Sequence, residues 1–121
     1  MPQVSEADHT NLKAYLTRNG ISYKDYSENP NKLKPTQSEF NVNKVNHLIK
    51  NFDEVKDKKI LVSKDNRVID GHHRWLAALK LGSNINIIKI NKRYDNVLDV
   101  LSEFPKVFSR NIKEEKDDSD E

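Results

Sequence analysis

Five consecutive residues, Asp70-Gly71-His72-His73-Arg74, concentrate more chemically able side chains than any other stretch of the chain. They follow the β-rich run Arg67-Val68-Ile69 and precede Trp75, Ala78 and Leu79, which have helical spacing. A strand should therefore end at Ile69 or Asp70, with a helix starting within two residues. The first backbone N–H groups of such a helix have no intrahelical partner, and its dipole places partial positive charge there. Gly71 would let an anion approach the backbone with no Cβ in the way. His72 and His73 add side-chain donors, and Arg74 offers a planar, permanently charged fork matched to phosphate oxygens. Cationic groups at a helix N-terminus are unfavourable by about 0.3–1 kcal/mol each, so three together imply an anion that offsets them. The chemistry expected of this segment is phosphate handling.

Taken singly, these residues have ordinary structural uses. Asp70 is a good N-cap, Gly71 suits a turn, and either histidine fits a core or a surface. The combination is what favours an anion. Zinc is disfavoured, because adjacent histidines point about 100° apart on a helix and only His9 and His47 remain elsewhere in the sequence. The chain has no cysteine, which removes disulfides, thiolate metal sites and cysteine redox chemistry and fits a reducing cytoplasm.

The elements that must position this segment can be read on either side of it. Ser5-Glu6-Ala7-Asp8 ahead of Leu12, Tyr15 and Leu16 reads as a capped helix ending at Asn19-Gly20. Ile21 to Tyr26 alternates as a half-buried strand, and Pro30 opens a short helical turn toward Leu33. A second helix is expected from Asn41 to Phe52, with Val42, Val45, Leu48 and Ile49 on one face. Ile60 to Ser63 and Arg67 to Asp70 read as a hairpin turned at Lys64-Asp65-Asn66. The motif helix should close at Gly82, followed by a strand at 85–90. A last helix is expected from about Asp95 to Phe104, stopped by Pro105. The order α–β–α–β–β–α–β–α predicts a small α/β domain with a mixed sheet and helices packed around it. Its core should contain Leu48, Ile60, Val62, Val68, Ile69, Trp75, Leu76, Leu79, Ile87, Ile88, Leu98 and Leu101.

With 121 residues the chain reads as one domain over 1–111, followed by an acidic tail at 112–121 that should be disordered. The last nine residues carry two lysines and six acids, so without them the net charge rises from +2 to +6. A basic body of that kind tolerates polyanions. No signal peptide or membrane-length apolar run is visible, so a cytoplasmic protein is expected.

The segment VIDGHHRWLAALKLG, with KLKPTQSEFNVNKVNHLI upstream, resembles the ParB/sulfiredoxin superfamily, in its branch of stand-alone ParB-like nucleases found in phages and plasmids. The resemblance covers roughly residues 33–90. It implies a ParB N-terminal/sulfiredoxin-like fold and a nucleotide or nucleic-acid phosphate held by Gly71, His72, His73 and Arg74. It places Asp70 at the acid heading the motif and Gln37 at the polar or acidic position after the proline, giving a catalytic set of Asp70, His72, His73, Arg74 and Gln37. Asp70 would be the ligand for Mg²⁺, with ATP or CTP as ligand or substrate. Sulfiredoxins act through a cysteine, which is missing here. Free-serine kinases of the superfamily use a catalytic glutamate in the stretch where Gln37 stands, although Glu39 lies two residues on. Partition proteins bind CTP through Gly-Glu-Arg-Arg and continue into a helix-turn-helix, for which the 30 or so residues after Ile90 are too few.

Three readings follow. The first is a nuclease or nucleoside triphosphate hydrolase, with Asp65 or Asp53 as the further acid that a two-metal reaction requires. The second is a non-catalytic regulator that holds a nucleotide or DNA. The third is a small-molecule kinase using Glu39. The expected partners are a nucleotide, DNA or both, with a second copy or another protein, and no membrane.

Overall fold

The computed structural model describes residues 9–107, with side chains to Phe104. The expected cap at 5–8 and the acidic tail lie outside the described residues. A four-stranded mixed sheet forms the middle layer, built from β1 (Tyr23–Glu28), β2 (Ile60–Ser63), β3 (Val68–Asp70) and β4 (Ile85–Ile90) in the order β1-β4-β2-β3. β2 and β3 form the expected antiparallel hairpin, and Asn66 takes the left-handed conformation that its turn requires (φ 64°). β4 runs parallel to β2 and antiparallel to β1.

Helices pack on both faces of the sheet, leaving β1 largely exposed, and alternation along the other strands sorts the residues between the faces. On one face Leu61, Ile69, Ile88 and Ile90 pack with α1 (His9–Arg18) and α5 (Tyr94–Val107) through Leu12, Leu16, Val97, Leu101 and Phe104. On the other, Ile60, Val62, Val68, Ile85 and Ile87 pack with Trp75 and Ala78 of α4 (His72–Leu81). A 3-10 turn at Pro30–Lys32 supports that helix, its Pro30 carbonyl accepting from Trp75 Nε1 at 2.9 Å.

Three expectations need correction. The second helix is two: α2 (Val42–Lys50) and a short α3 (Phe52–Val55), broken at Asn51. Asn51 has left the helical region, and its side chain donates to the His47 carbonyl, so it competes with the backbone for the helix end. α5 runs through Pro105 to Val107. Proline removes one intrahelical donor, while the buried Val97, Leu101 and Phe104 hold that helix to the sheet. Leu98 is half-buried and Val97 fully buried, a rotation of one residue from the expected inner face; Leu76 and Leu79 are also only partly buried.

Candidate functional site

The motif lies at the junction of β3 and α4, where strand and helix were expected. Asp70 closes the strand and Gly71, not Asp70, is the N-cap, with no side chain capping the helix. The reason is steric. Gly71 has φ +93°, and a Cβ there would meet Cγ2 of Ile60 and approach its Cβ to 2.8 Å and Arg74 Nη2 to 3.3 Å. The space expected to admit an anion is filled by Ile60, so this glycine lets strand β2 and the start of α4 approach each other.

The motif is also inside the molecule. Asp70, His72, His73 and Arg74 are 2–7% exposed. A covering segment, residues 34–41, explains this. Lys34 bridges Arg67 beside β3, and the chain then crosses the start of α4. The Thr36 N–H donates to His72 Nε2 at 3.1 Å, the Thr36 hydroxyl lies 2.9 Å from the same nitrogen, and it donates to the Val68 carbonyl at 2.7 Å. The Asn41 N–H donates to His73 Nε2 at 3.0 Å, while the Asn41 side chain caps α2 by accepting from Lys44 N. Between them Phe40 packs edge-on to His73 at 5.6 Å and lies 6.3–6.4 Å from His72 and Trp75. Each histidine therefore accepts a backbone N–H at Nε2, which places its ring proton on Nδ1. Arg74 Nη2 donates to the Lys59 carbonyl at 3.3 Å.

Gln37 does not join this group. Its amide donates to the Glu39 carbonyl, and Glu39 itself is exposed. The residues that touch the histidines are Thr36, Phe40 and Asn41, within the upstream stretch that carried the resemblance but unmarked there as site residues. Their only signal was an apolar Phe40 amid polar neighbours, ahead of an Asn cap.

The two further acids sit elsewhere. Asp65 is in the turn joining β2 and β3, whereas Asp70 pairs with Leu61 near the other end of that hairpin. Burial would raise the Asp65 carboxyl, but bonds from the Ser63 hydroxyl and the Tyr94 N–H, with Arg67 nearby, hold it below the usual range. It serves as a remote cap for α5. Asp53 is 96% exposed and faces Lys56. Among the described residues no group of three or more His, Asp or Glu is placed to hold a metal ion. Asp70 is thus not joined by the further carboxylates or histidines of a protein-held Mg²⁺ site among the described residues. No helix among the described residues is long and apolar enough to cross a membrane.

No protein-family model matches the chain, and no curated protein matches it. Solved structures do. The C2221 form of a Pnob8-like ParB-N domain superposes with a TM-score of 0.55 at 22% identity, over 73% of this chain and 37% of that one. A structure of the pNOB8-like ParB N-domain gives a TM-score of 0.49 at 23% identity, over 63% of this chain and 30% of that one. The chain thus spans little more than a third of the first neighbour's length. The first of these is a ParB N-domain, so the ParB side of the resemblance is the side the fold carries. At this identity the likeness concerns architecture: the mixed sheet with its flanking helices is the fold of a ParB N-domain.

Proposed function

We propose that this chain is a ParB-type binding module that holds the phosphates of a nucleotide, ATP or CTP, at the start of α4. The observation that carries the reading is the convergence there of Arg74, His72 and His73 on a helix N-terminus with no side-chain cap. Backbone donors, dipole and guanidinium would act together on an anion. Segment 34–41 is bonded to both histidines, so a ligand at the helix start would work against, or through, that segment. Binding would then alter the position of 34–41 and the surface it presents to a partner.

Binding is favoured over turnover by what the histidines already do. A general base must present its lone pair to the substrate or its water, and both Nε2 atoms accept from Thr36 and Asn41. Hydrolysis of a phosphoester or nucleoside triphosphate would require 34–41 to lift first. The kinase reading has less support, since Glu39 is exposed and Gln37 turns toward it.

Thermal unfolding with ATP or CTP, with and without Mg²⁺, tests the proposal. A ligand at a hundredfold excess over its Kd should raise Tm by about 10 °C or more. Arg74→Lys keeps the charge but loses the fork and should bind more weakly, with circular dichroism confirming its fold. No shift with any nucleotide, in a folded wild-type protein, would sink the proposal. Phosphate release by wild type but not by His72→Gln would replace it with the hydrolase reading.

A further inference from the structure

An open cleft lies away from the motif. It has a volume of about 800 Å³ and is lined along β1 by residues 22–26, which include Lys24, Asp25 and Tyr26, and by Lys64, Lys89 and Asn91. Strand alternation explains the grouping of Lys24, Tyr26 and Lys89. Lys24 pairs with Lys89 and Tyr26 with Ile87 across the β1–β4 ladder, on the sheet face that carries α4. The apolar cluster under α4 contains no residue of β1. That half of the face is therefore open, with Tyr26 37% exposed.

Its charge is predominantly positive, three lysines against Asp25. Lys24 and Lys89 stand directly opposite each other, an arrangement that destabilises a sheet when the charges are alike. Lys64 follows β2 into the same cleft, and its N–H donates to the Lys92 carbonyl, which brings Lys92 alongside. None of Lys24, Lys64 and Lys89 has a carboxylate within ion-pair distance among the described residues. The nearby acids are already bonded to other groups. Asp25 binds Lys13 and Lys59 on the opposite face, and Asp65 binds Ser63, Arg67 and the start of α5. Glu28, at the far end of β1, accepts from Asn29 N–H and the Tyr26 hydroxyl.

We infer that this open half-face is a second anion site, separate from the motif, and that it tracks the phosphates of a single-stranded nucleic acid. Charge complementarity selects a polyanion: three unneutralised lysines line one cleft, two of them held in register across a ladder. The exposed Tyr26 ring beside them offers a base a stacking surface. Lysines along a groove with an aromatic on its floor are the two parts a single-strand site needs. A duplex would instead require an element that projects into a groove, and the surface here is the face of strands β1 and β4.

The test is fluorescence anisotropy of a labelled mixed-sequence oligonucleotide of about 12 nucleotides, a length within the span of a single-strand site, over a range of salt. The full chain should bind at low ionic strength and weaken linearly in log–log form. The charge reversals Lys24→Glu and Lys89→Glu together should weaken binding at least tenfold and reduce the salt slope by about 1–2. Tyr26→Ala should weaken it about fivefold or more with the slope unchanged. Lys50→Glu, on the exposed end of α2, makes the same kind of charge change away from the cleft and should leave affinity within twofold. The inference is overturned if wild type fails to bind, or if Lys50→Glu weakens binding as much as each cleft reversal does. Tighter binding of a duplex that ignores Tyr26→Ala would overturn the single-strand assignment.

Discussion

Two basic regions of this molecule differ in how they treat their charge. At the start of α4, Arg74 and two histidines are buried, each bonded to backbone groups of a neighbouring segment. At the other, Lys24, Lys64 and Lys89 border an open cleft with no carboxylate partner among the described residues. A buried charge is costly unless it is hydrogen-bonded, so the first region is rigid, and any ligand there must compete with existing bonds. An exposed lysine is solvated and adaptable, so the second can meet a ligand without rearrangement. Substitutions should therefore act on stability as well as nucleotide binding in the first region, and on oligonucleotide binding with little change in stability in the second.

The largest effect is expected at Gly71. Gly71→Ala places a Cβ against Ile60 at φ +93°, which combines backbone strain of about 1–3 kcal/mol with overpacking of similar size. Urea unfolding should show a loss of about 3 kcal/mol or more. Adding Ile60→Val relieves part of the clash but not the strain, so the double variant should recover only a fraction. A Gly71→Ala protein of wild-type stability would mean that the β2–α4 approach is looser than described.

Thr36→Val comes next. It deletes the hydroxyl that bonds the Val68 carbonyl and touches His72 while conserving volume. A loss of about 1–2 kcal/mol is expected, the usual cost of leaving a part-buried group unsatisfied. Hydrogen exchange at residues 34–41 should quicken more than exchange in β4. Equal quickening in both would argue that 34–41 is not a separable cover.

This contrast also explains what could be read in the sequence. β4 is recovered to the residue, because four isoleucines within six positions form a β-branched run with distinct ends, interrupted only by Asn86 and Lys89. The β2–β3 hairpin and the start and stop of α4 are legible for a similar reason, since glycine and turn residues mark local geometry. The motif was found, but its solvent exposure was not. Whether Gly71 faces an anion or Ile60 depends on a strand eleven residues upstream, and no local pattern encodes that contact. The resemblance marks Gln37 and not its neighbour Thr36, because a covering segment of polar residues has no period to tell inner from outer. The cleft escaped notice because Lys24 and Lys89 are 65 positions apart and meet only through strand register.

Acid titration separates the regions more finely. Burial alone would raise the Asp25 carboxyl, but hydrogen bonds and charge from Lys13 and Lys59 outweigh it and hold the group below its ordinary value; Asp65 is also lowered. A carboxyl lowered in the folded state adds stability above its unfolded pKa, about 3.9, and loses it as pH falls through the folded value. Stability should thus be level from pH 7 to 5 and decline from about pH 4 downward. Asp65→Ala should cost about 1 kcal/mol at neutral pH, as for a lost helix cap. Asp25→Asn, at a pair one-third exposed, should cost less than about 1 kcal/mol. Both should flatten the acid limb. An unchanged limb in both variants would assign acid unfolding to other groups.

The smallest effect has the opposite sign. Lys24→Glu converts a like-charged cross-strand pair with Lys89 into an opposite-charged one. Cross-strand pairs of this kind differ by about 0.2–1 kcal/mol, so the variant should be slightly more stable than wild type at low salt. The gain should fade as salt screens the pair. The same substitution is expected to weaken oligonucleotide binding, so one change would raise stability while lowering affinity. That divergence is the signature of a charge arrangement kept for a ligand, since optimisation of the free fold would remove it. A loss of stability in Lys24→Glu would show that Lys24 supports the sheet, and the two basic regions would then differ in exposure but not in role.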